Sequence, residues 1–188
     1  MKDSSFDSAN SLITAEEVML HPEWNPCELI RGKVAFRKYM GGVQGSVAAN
    51  LLGDIGVFVR DREFGTMFAA GTGFYLERNP DTVLAPDVMF VDKRRTPEHG
   101  WPDDFLSVAP DLTVEVLSPS DSYQSIYEKV ELYLKAGVCL VWVVDPETRS
   151  ARVYRLGCAI QKINESQSLS GGDVLPGFEL KLSDIFSV

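Results

Sequence analysis

The chain has 188 residues, of which 45% are hydrophobic and 24% charged, and 27 Asp and Glu against 18 Lys and Arg leave a net charge of −9. This composition predicts one globular domain over residues 1–188 and excludes a chain that is disordered throughout. The acidic balance also excludes a broad basic surface for nucleic acid. Nucleic acid would have to be handled at a local site, with metal ions offsetting the acids.

The cysteines and the apolar segments indicate in which cellular compartment the protein is expected. Cys27, Cys139 and Cys158 are far apart and form no CxxC pair, which argues against a disulfide framework or a structural zinc site. Residues 1–12 are polar, are expected to be flexible, and lack the apolar run of a signal peptide. The longest apolar stretch, residues 138–144, is too short to cross a membrane. We therefore expect a soluble, cytoplasmic protein without membrane association.

The first part of the chain predicts a helix and a hairpin. Thr14 and Glu17 have the spacing of a capping box, which predicts a short helix over residues 15–20. The following segment alternates around a glycine turn and predicts a hairpin with strands at 28–30 and 34–39.

The middle of the chain predicts a long helix and several strands. Apolar residues spaced three and four apart predict an amphipathic helix over residues 43–60. Residues 65–78 indicate strand interrupted by glycines, and residues 84–93 a further strand with Pro86 near its start. Residues 93–110 predict a long surface loop. Its aromatic residues would contact a partner or the substrate, or would fold over the chain's own core.

The last third predicts strand, helix and strand again. β-branched residues indicate a strand over residues 111–117, followed by a helix over residues 122–136 that ends at Gly137. A buried strand at 138–144 and a hairpin partner at 151–156 follow. Together these elements predict an α/β fold with one central sheet flanked by helices.

Two predicted strands carry an isolated carboxylate. Glu115 shares one strand face with Thr113 and Leu117, and Asp87 begins the apolar run VMFV. Burying an unpaired carboxylate is costly, and two carboxylates on neighbouring strands can bind Mg²⁺ for phosphodiester hydrolysis. Two alternatives stay open: Glu115 could form a structural ion pair with Lys129, and Asp87 could cap a turn.

The helix that follows Glu115 supplies a cation. Ser125, Lys129 and Tyr133 are spaced by four residues and lie on one helix face. The Lys129 ammonium could orient a water or stabilise the charge that develops on a phosphorane. The alternative is that Lys129 only neutralises Glu115 and that Tyr133 is a core aromatic residue.

Several segments form a recognisable set: APDVMFV, DLTVEVLSPSDS and EKVELYLKAGVCLVWVVDP, supported by CELIRGKV, GTGFYLER and LPGFELKLSDIF. Together they resemble the Uma2 family of putative restriction endonucleases in the PD-(D/E)XK superfamily. The resemblance implies a restriction-endonuclease-like core, with a central mixed β-sheet flanked by helices, and DNA as the substrate.

The resemblance also implies roles for particular residues. Asp87 matches the motif aspartate and Glu115 the acid of the D/E-x-K element, and together they would hold Mg²⁺, with Mn²⁺ as a possible substitute. Leu117 stands where the superfamily has its lysine. Lys129, on the following helix, matches the lysine that replaces it in this family.

Three further residues would assist these groups. Glu28 matches an acidic residue ahead of the core that could help the metal, and Tyr133 would pack beneath Lys129. Gln44 stands where the family commonly has a histidine, and an amide cannot titrate. The resemblance thus predicts a Mg²⁺-dependent DNA endonuclease, expected to be a homodimer that cuts both strands. Leu117 and Gln44 favour the alternative, an inactive nuclease-fold protein acting as a binding or regulatory module.

Overall fold

The computed structural model describes residues 12–187, so the expectation that residues 1–12 are flexible lies, except for Leu12, outside the described chain. Its largest element is a six-stranded mixed sheet. In order across the sheet the strands are β10 (Gln161–Asn164), β9 (Ser150–Tyr154), β8 (Leu140–Asp145), β7 (Leu112–Val116), β6 (Val88–Asp92) and β3 (Gly65–Ala69). Strands β7 and β8 are parallel, and all other neighbours are antiparallel.

Two smaller antiparallel sheets accompany it. The four-stranded sheet has the order β2 (Lys33–Phe36), β1 (Cys27–Ile30), β5 (Thr82–Leu84) and β4 (Phe74–Glu77), and the two-stranded sheet pairs β11 (Ser168–Ser170) with β12 (Glu179–Lys181). The predicted continuous strand over 84–93 is therefore wrong. It breaks around Pro86, which has no N–H for a ladder, so that β5 and β6 belong to different sheets.

Three helices begin and end close to the predicted positions: α1 (Ala15–Leu20), α2 (Gly42–Asp61) and α3 (Tyr123–Lys135). A fourth, α4 (Leu182–Ile185), was not predicted, and short 3₁₀ turns lie at Pro22–Trp24 and Lys93–Arg95. The predicted capping box is confirmed, since the Thr14 hydroxyl accepts from the Glu17 N–H and the Glu17 carboxylate from the Thr14 N–H. Gly137 follows α3 with a φ of 97°.

Helices α2 and α3 cover opposite faces of the six-stranded sheet. Leu51 of α2 packs in one core with Val114 and Trp142, whereas Val130 of α3 packs with Val141 in a second core. Strand β7 thus presents its valines to α2 and its other face to α3, as the predicted alternation requires. Glu115 therefore lies beneath α3.

Helix α2 is the one helix in the described chain whose length and composition would suit a membrane span. Its Val47, Leu51 and Ile55 are fully buried within the fold. Helix α2 is therefore amphipathic and packs one apolar face on the sheet.

The aromatic residues of the predicted surface loop fold over the protein's own core. Trp101 packs edge-on against Phe68 with ring centroids 4.9 Å apart, and Phe105 against Tyr75 at 5.9 Å. Leu106 in the same loop is 2% exposed. Of the interpretations left open by the sequence, the structure thus shows packing against the core.

Gly65 lies so close to β6 that it accepts no side chain. A Cβ atom there would stand 2.0 Å from the Val91 carbonyl oxygen and 2.9 Å from the Lys93 nitrogen, both backbone atoms. We expect Gly65→Ala to lower the free energy of unfolding by about 3 kcal/mol, since the strand pair must separate. Urea denaturation measures this loss. The control Gly53→Ala, where a Cβ meets nothing within 4 Å, should stabilise α2 by up to about 1 kcal/mol, and an equal loss in both variants would contradict the steric explanation.

Candidate active site

Asp87 and Glu115 lie on neighbouring strands with their side chains on the same face of the sheet. Asp87 directly precedes β6, and its N–H donates to the Val114 carbonyl at 3.0 Å. Val88 lies opposite Val114 in the register, so Asp87 comes beside Glu115. Both residues are 2% exposed. The structure thus brings together the two carboxylates that the sequence singled out.

Lys129 reaches this pair from α3. Its Nζ lies 2.8 Å from Glu28 Oε1 and 3.5 Å from Glu115 Oε1. Glu28 belongs to β1 and also accepts from the Ala85 N–H at 3.3 Å, so the cluster sits where the two larger sheets meet under α3. The nearer partner of the ammonium is Glu28 and not Glu115. Glu28 therefore holds Lys129 in place and leaves it within reach of Glu115.

Arg37 is a member of the cluster that the sequence analysis missed. The predicted strand over 34–39 ends at Phe36, and the Arg37 guanidinium turns inward. Its Nη2 lies 3.2 Å from Asp87 Oδ1 and its Nη1 3.6 Å from Glu28 Oε1, and Nη1 also donates to the Ala85 carbonyl. The available signal was the charged pair Arg37–Lys38 directly after an apolar hairpin strand.

Tyr133 is both a core residue and a member of the site. It is fully buried, stacks on Phe74 at 5.8 Å, and donates its hydroxyl to Glu115 Oε1 at 2.5 Å. Tyr133 is therefore a core aromatic residue that also contacts a carboxylate of the site.

Gln44 fixes a backbone group at the site. Its Nε2 donates to the Val116 carbonyl at 2.6 Å, while the Val116 N–H donates to Asp87 Oδ2 at 2.7 Å. The amide of Gln44 thus orients the end of β7 beside the carboxylates. This contact needs a hydrogen-bond donor and no titratable group.

The charges of the cluster shift one another's pKa values. Burial raises the pKa of Glu115 to about 7. The positive charge of Lys129 lowers this pKa, and the negative charge of Asp87 raises it further. Burial likewise raises the pKa of Asp87, although the Val116 N–H and Arg37 oppose this. A metal-free cluster can therefore keep a proton on a carboxylate near neutral pH.

The neighbouring groups respond to the same charges. Burial would lower the pKa of Lys129, but Glu115 and Glu28 outweigh it, so that its pKa lies above the ordinary value. Burial and the charge of Glu115 raise the pKa of Tyr133 well above the usual value. Lys129 is therefore an ammonium ion and Tyr133 a neutral hydrogen-bond donor at any pH the protein meets.

A cavity of about 290 Å³ leads to the cluster, lined by Glu28, Arg37, Gln44, Glu115 and Lys129 among others. Within residues 12–187, no group of three or more His, Cys, Asp and Glu side chains is arranged to hold a metal ion. An ion here would bind two carboxylates, with water completing its shell. Mg²⁺ commonly binds proteins in this way, through one or two carboxylates and several waters, so the oxygen donors of Asp87 and Glu115 suit it.

A mixed sheet between two helices, with buried carboxylates at its strand ends and a lysine that reaches them from α3, is a nuclease-like fold. A solved structure supports this class: a putative nuclease belonging to DUF820 from Anabaena variabilis ATCC 29413 superposes with a TM-score of 0.80. It is 24% identical, and the match covers 93% of this chain and 98% of that one. No curated protein matches the sequence.

The family follows from the sequence match. Residues 16–183 match the profile of the Uma2 family, described as putative restriction endonuclease, and the chain belongs to this family. The resemblance inferred from the sequence motifs and the predicted restriction-endonuclease-like fold are both confirmed.

Proposed function

We propose that the protein is a Mg²⁺-dependent endonuclease that hydrolyses DNA phosphodiester bonds at the cluster around Asp87 and Glu115. The observation that carries this is the meeting of two buried carboxylates with the Lys129 ammonium, 3.5 Å from Glu115 Oε1. Buried carboxylates that share a site with a lysine are costly to keep unless they serve a function. Membership of a family of putative restriction endonucleases supports DNA as the substrate.

Asp87 and Glu115 would hold the metal. The Val116 carbonyl, which Gln44 orients beside them, is a further hard oxygen donor. Bound there, Mg²⁺ would neutralise phosphate charge and lower the pKa of a bound water. Mn²⁺ could substitute, since it also prefers oxygen ligands.

The chain's own cations would act on the phosphate and on the attacking water. Lys129 would orient the water or stabilise the charge that develops on the phosphate oxygens, while Glu28 at 2.8 Å keeps its ammonium in position. Arg37 would neutralise Asp87 in the metal-free protein, because it is a permanent charge 3.2 Å away. Tyr133 would hold Glu115 in one orientation through its hydroxyl.

Two features of the wider setting belong to the same proposal. We place the protein in the cytoplasm, in keeping with its free cysteines Cys27, Cys139 and Cys158, two of which are exposed. The homodimer expected from the sequence rests on a duplex substrate whose two strands are both cut, and it stays a prediction.

Replacing Asp87 by Asn tests the proposal. We expect the natural protein to cleave plasmid or single-stranded DNA with Mg²⁺ and not with EDTA. Asp87→Asn should lose this cleavage together with Mn²⁺ binding, which calorimetry measures. The reason is that an amide oxygen carries no negative charge for the ion. The control Asp54→Asn changes an exposed acid on α2 and should leave both unchanged. No cleavage by a well-folded natural protein would support the alternative, an inactive module that keeps the nuclease fold.

A further inference from the structure

Two exposed aromatic side chains lie at the mouth of the site cavity. Within residues 12–187, the exposed Phe, Tyr and Trp side chains are Phe36, Tyr39, Tyr123 and Tyr127. Phe36 and Tyr39 line the site cavity. Tyr123 lines a cavity of about 420 Å³ that shares Gln44 with it. Apolar surface left in water at one cavity mouth indicates a ligand with apolar faces.

Phe36 and Tyr39 present ring faces that no described side chain covers. They are 71% and 86% exposed, and within residues 12–187 neither ring contacts another aromatic ring or a cation. Tyr123 differs, because the Arg152 guanidinium lies 4.8 Å from its ring centroid. The rings open to a ligand are therefore those on either side of Arg37 and Lys38.

The segment at 37–40 separates two cavities. One is the site cavity with Glu115 and Lys129, and the other, of about 320 Å³, is lined by Asp87 and by the same segment. A chain that crosses this segment would meet the cations of Arg37 and Lys38 between the rings of Phe36 and Tyr39. This alternation of positive charge and aromatic faces suits a phosphate backbone with unpaired bases.

The charges near the site are too few for a duplex. Arg37, Lys38 and Lys129 are the cations that line these three cavities, and the whole chain carries −9. Duplex binding depends on many phosphate contacts, and the bases of a duplex are stacked on each other. Glu115, which is 2% exposed, lies at the floor of the site cavity, and a flexible single strand enters such a cavity more readily than a rigid duplex.

We propose that the strand bound at this site is single-stranded DNA, with bases stacked on Phe36 and Tyr39 and the backbone passing Arg37 into the cavity. The inference rests on the proposed function, since it names the substrate of that site. A single-stranded substrate also needs no two-fold partner, because one site completes the cut.

Binding measured without a divalent metal tests the proposal independently of cleavage. Fluorescence anisotropy in EDTA compares a labelled single strand of about 20 nucleotides with the duplex of the same sequence. We expect the natural protein to bind the single strand at least about tenfold more tightly. Phe36→Ala and Tyr39→Ala should each weaken that binding about tenfold, which is the loss typical of one base stack. Both variants should fold normally, because both side chains are exposed.

Tyr127→Ala is the matched control, since Tyr127 is exposed but lines neither cavity, and it should bind as the natural protein does. Duplex binding as tight as single-strand binding, or an equal loss in Tyr127→Ala, would overturn the proposal, whatever the cleavage assay gives. The expected binding pattern in a protein that cleaves no DNA with Mg²⁺ would instead refute the nuclease activity and leave the single-strand site standing.

Discussion

We expect the replacement of Lys129 by Met to lower the rate of the proposed DNA cleavage about a hundredfold or more and to leave metal binding intact. Met keeps much of the lysine stem, so the packing of α3 on the sheet is preserved. What disappears is the ammonium 2.8 Å from Glu28 and 3.5 Å from Glu115. Losing one group that stabilises transition-state charge typically costs this much. Single-turnover cleavage with Mg²⁺, together with Mn²⁺ titration, measures the two effects separately.

The control Lys135→Met removes an exposed lysine from the last turn of the same helix and should cleave at the natural rate. If Lys129→Met folds normally and cleaves as fast as the natural protein, Lys129 has no part in the mechanism. Its role would then be that of the ion-pair partner of Glu28 alone. Loss of Mn²⁺ binding in this variant would likewise contradict the separation of the two roles.

The second large effect is expected for Glu115→Gln, which should abolish the proposed cleavage and make the metal-free protein more stable at pH 8. In the folded state the pKa of Glu115 is raised by burial from 4.5 to about 7. Below pH 4.5 the Glu115 carboxyl is protonated in both the folded and the unfolded state, so it does not lower the free energy of unfolding. As the pH rises to about 7 the unfolded chain loses the proton first, so the stability of the fold decreases, and above pH 7 the full cost remains.

The size of the effect follows from the two pKa values. The gap between 4.5 and about 7 corresponds to a cost of about 3 kcal/mol, which a neutral amide avoids. The side chain of Gln has an oxygen that can accept the hydrogen bond from the Tyr133 hydroxyl, and Lys129 keeps its ion pair with Glu28. Urea denaturation in EDTA at pH 8 should therefore show Glu115→Gln to be more stable by up to that amount.

The pH dependence itself is the control for this prediction. At pH 5 most of the gain should vanish, because Glu115 is then protonated in the folded natural protein. Glu131→Gln, which changes an exposed acid of α3, should alter stability little at either pH. A gain of the same size at pH 5 and pH 8 would contradict an origin in the charge of Glu115.

The sequence by itself predicted most of the elements and the members of the cluster other than Arg37. Hydrophobic spacing predicted α2 and α3 to within a few residues, because helix periodicity is a local property. Strand alternation placed Glu115 on the opposite face from Val114, and a lone acid in each of two apolar strands identified Asp87 and Glu115. These inferences need only the neighbours along the chain, and the structure brings these two carboxylates together.

Only the tertiary structure decided how distant segments meet. Whether residues 84–93 form one strand or two depends on which strands lie beside them, and β5 and β6 pair in different sheets. The charged pair Arg37–Lys38 could not indicate which carboxylate Arg37 contacts, because Asp87 lies 50 positions away. Lys129 could be assigned to Glu115 by spacing, yet its nearest carboxylate is Glu28, 101 positions away. Ion pairs of this kind form between surfaces that only folding brings together, because Coulomb attraction depends on distance in space and not on separation along the chain.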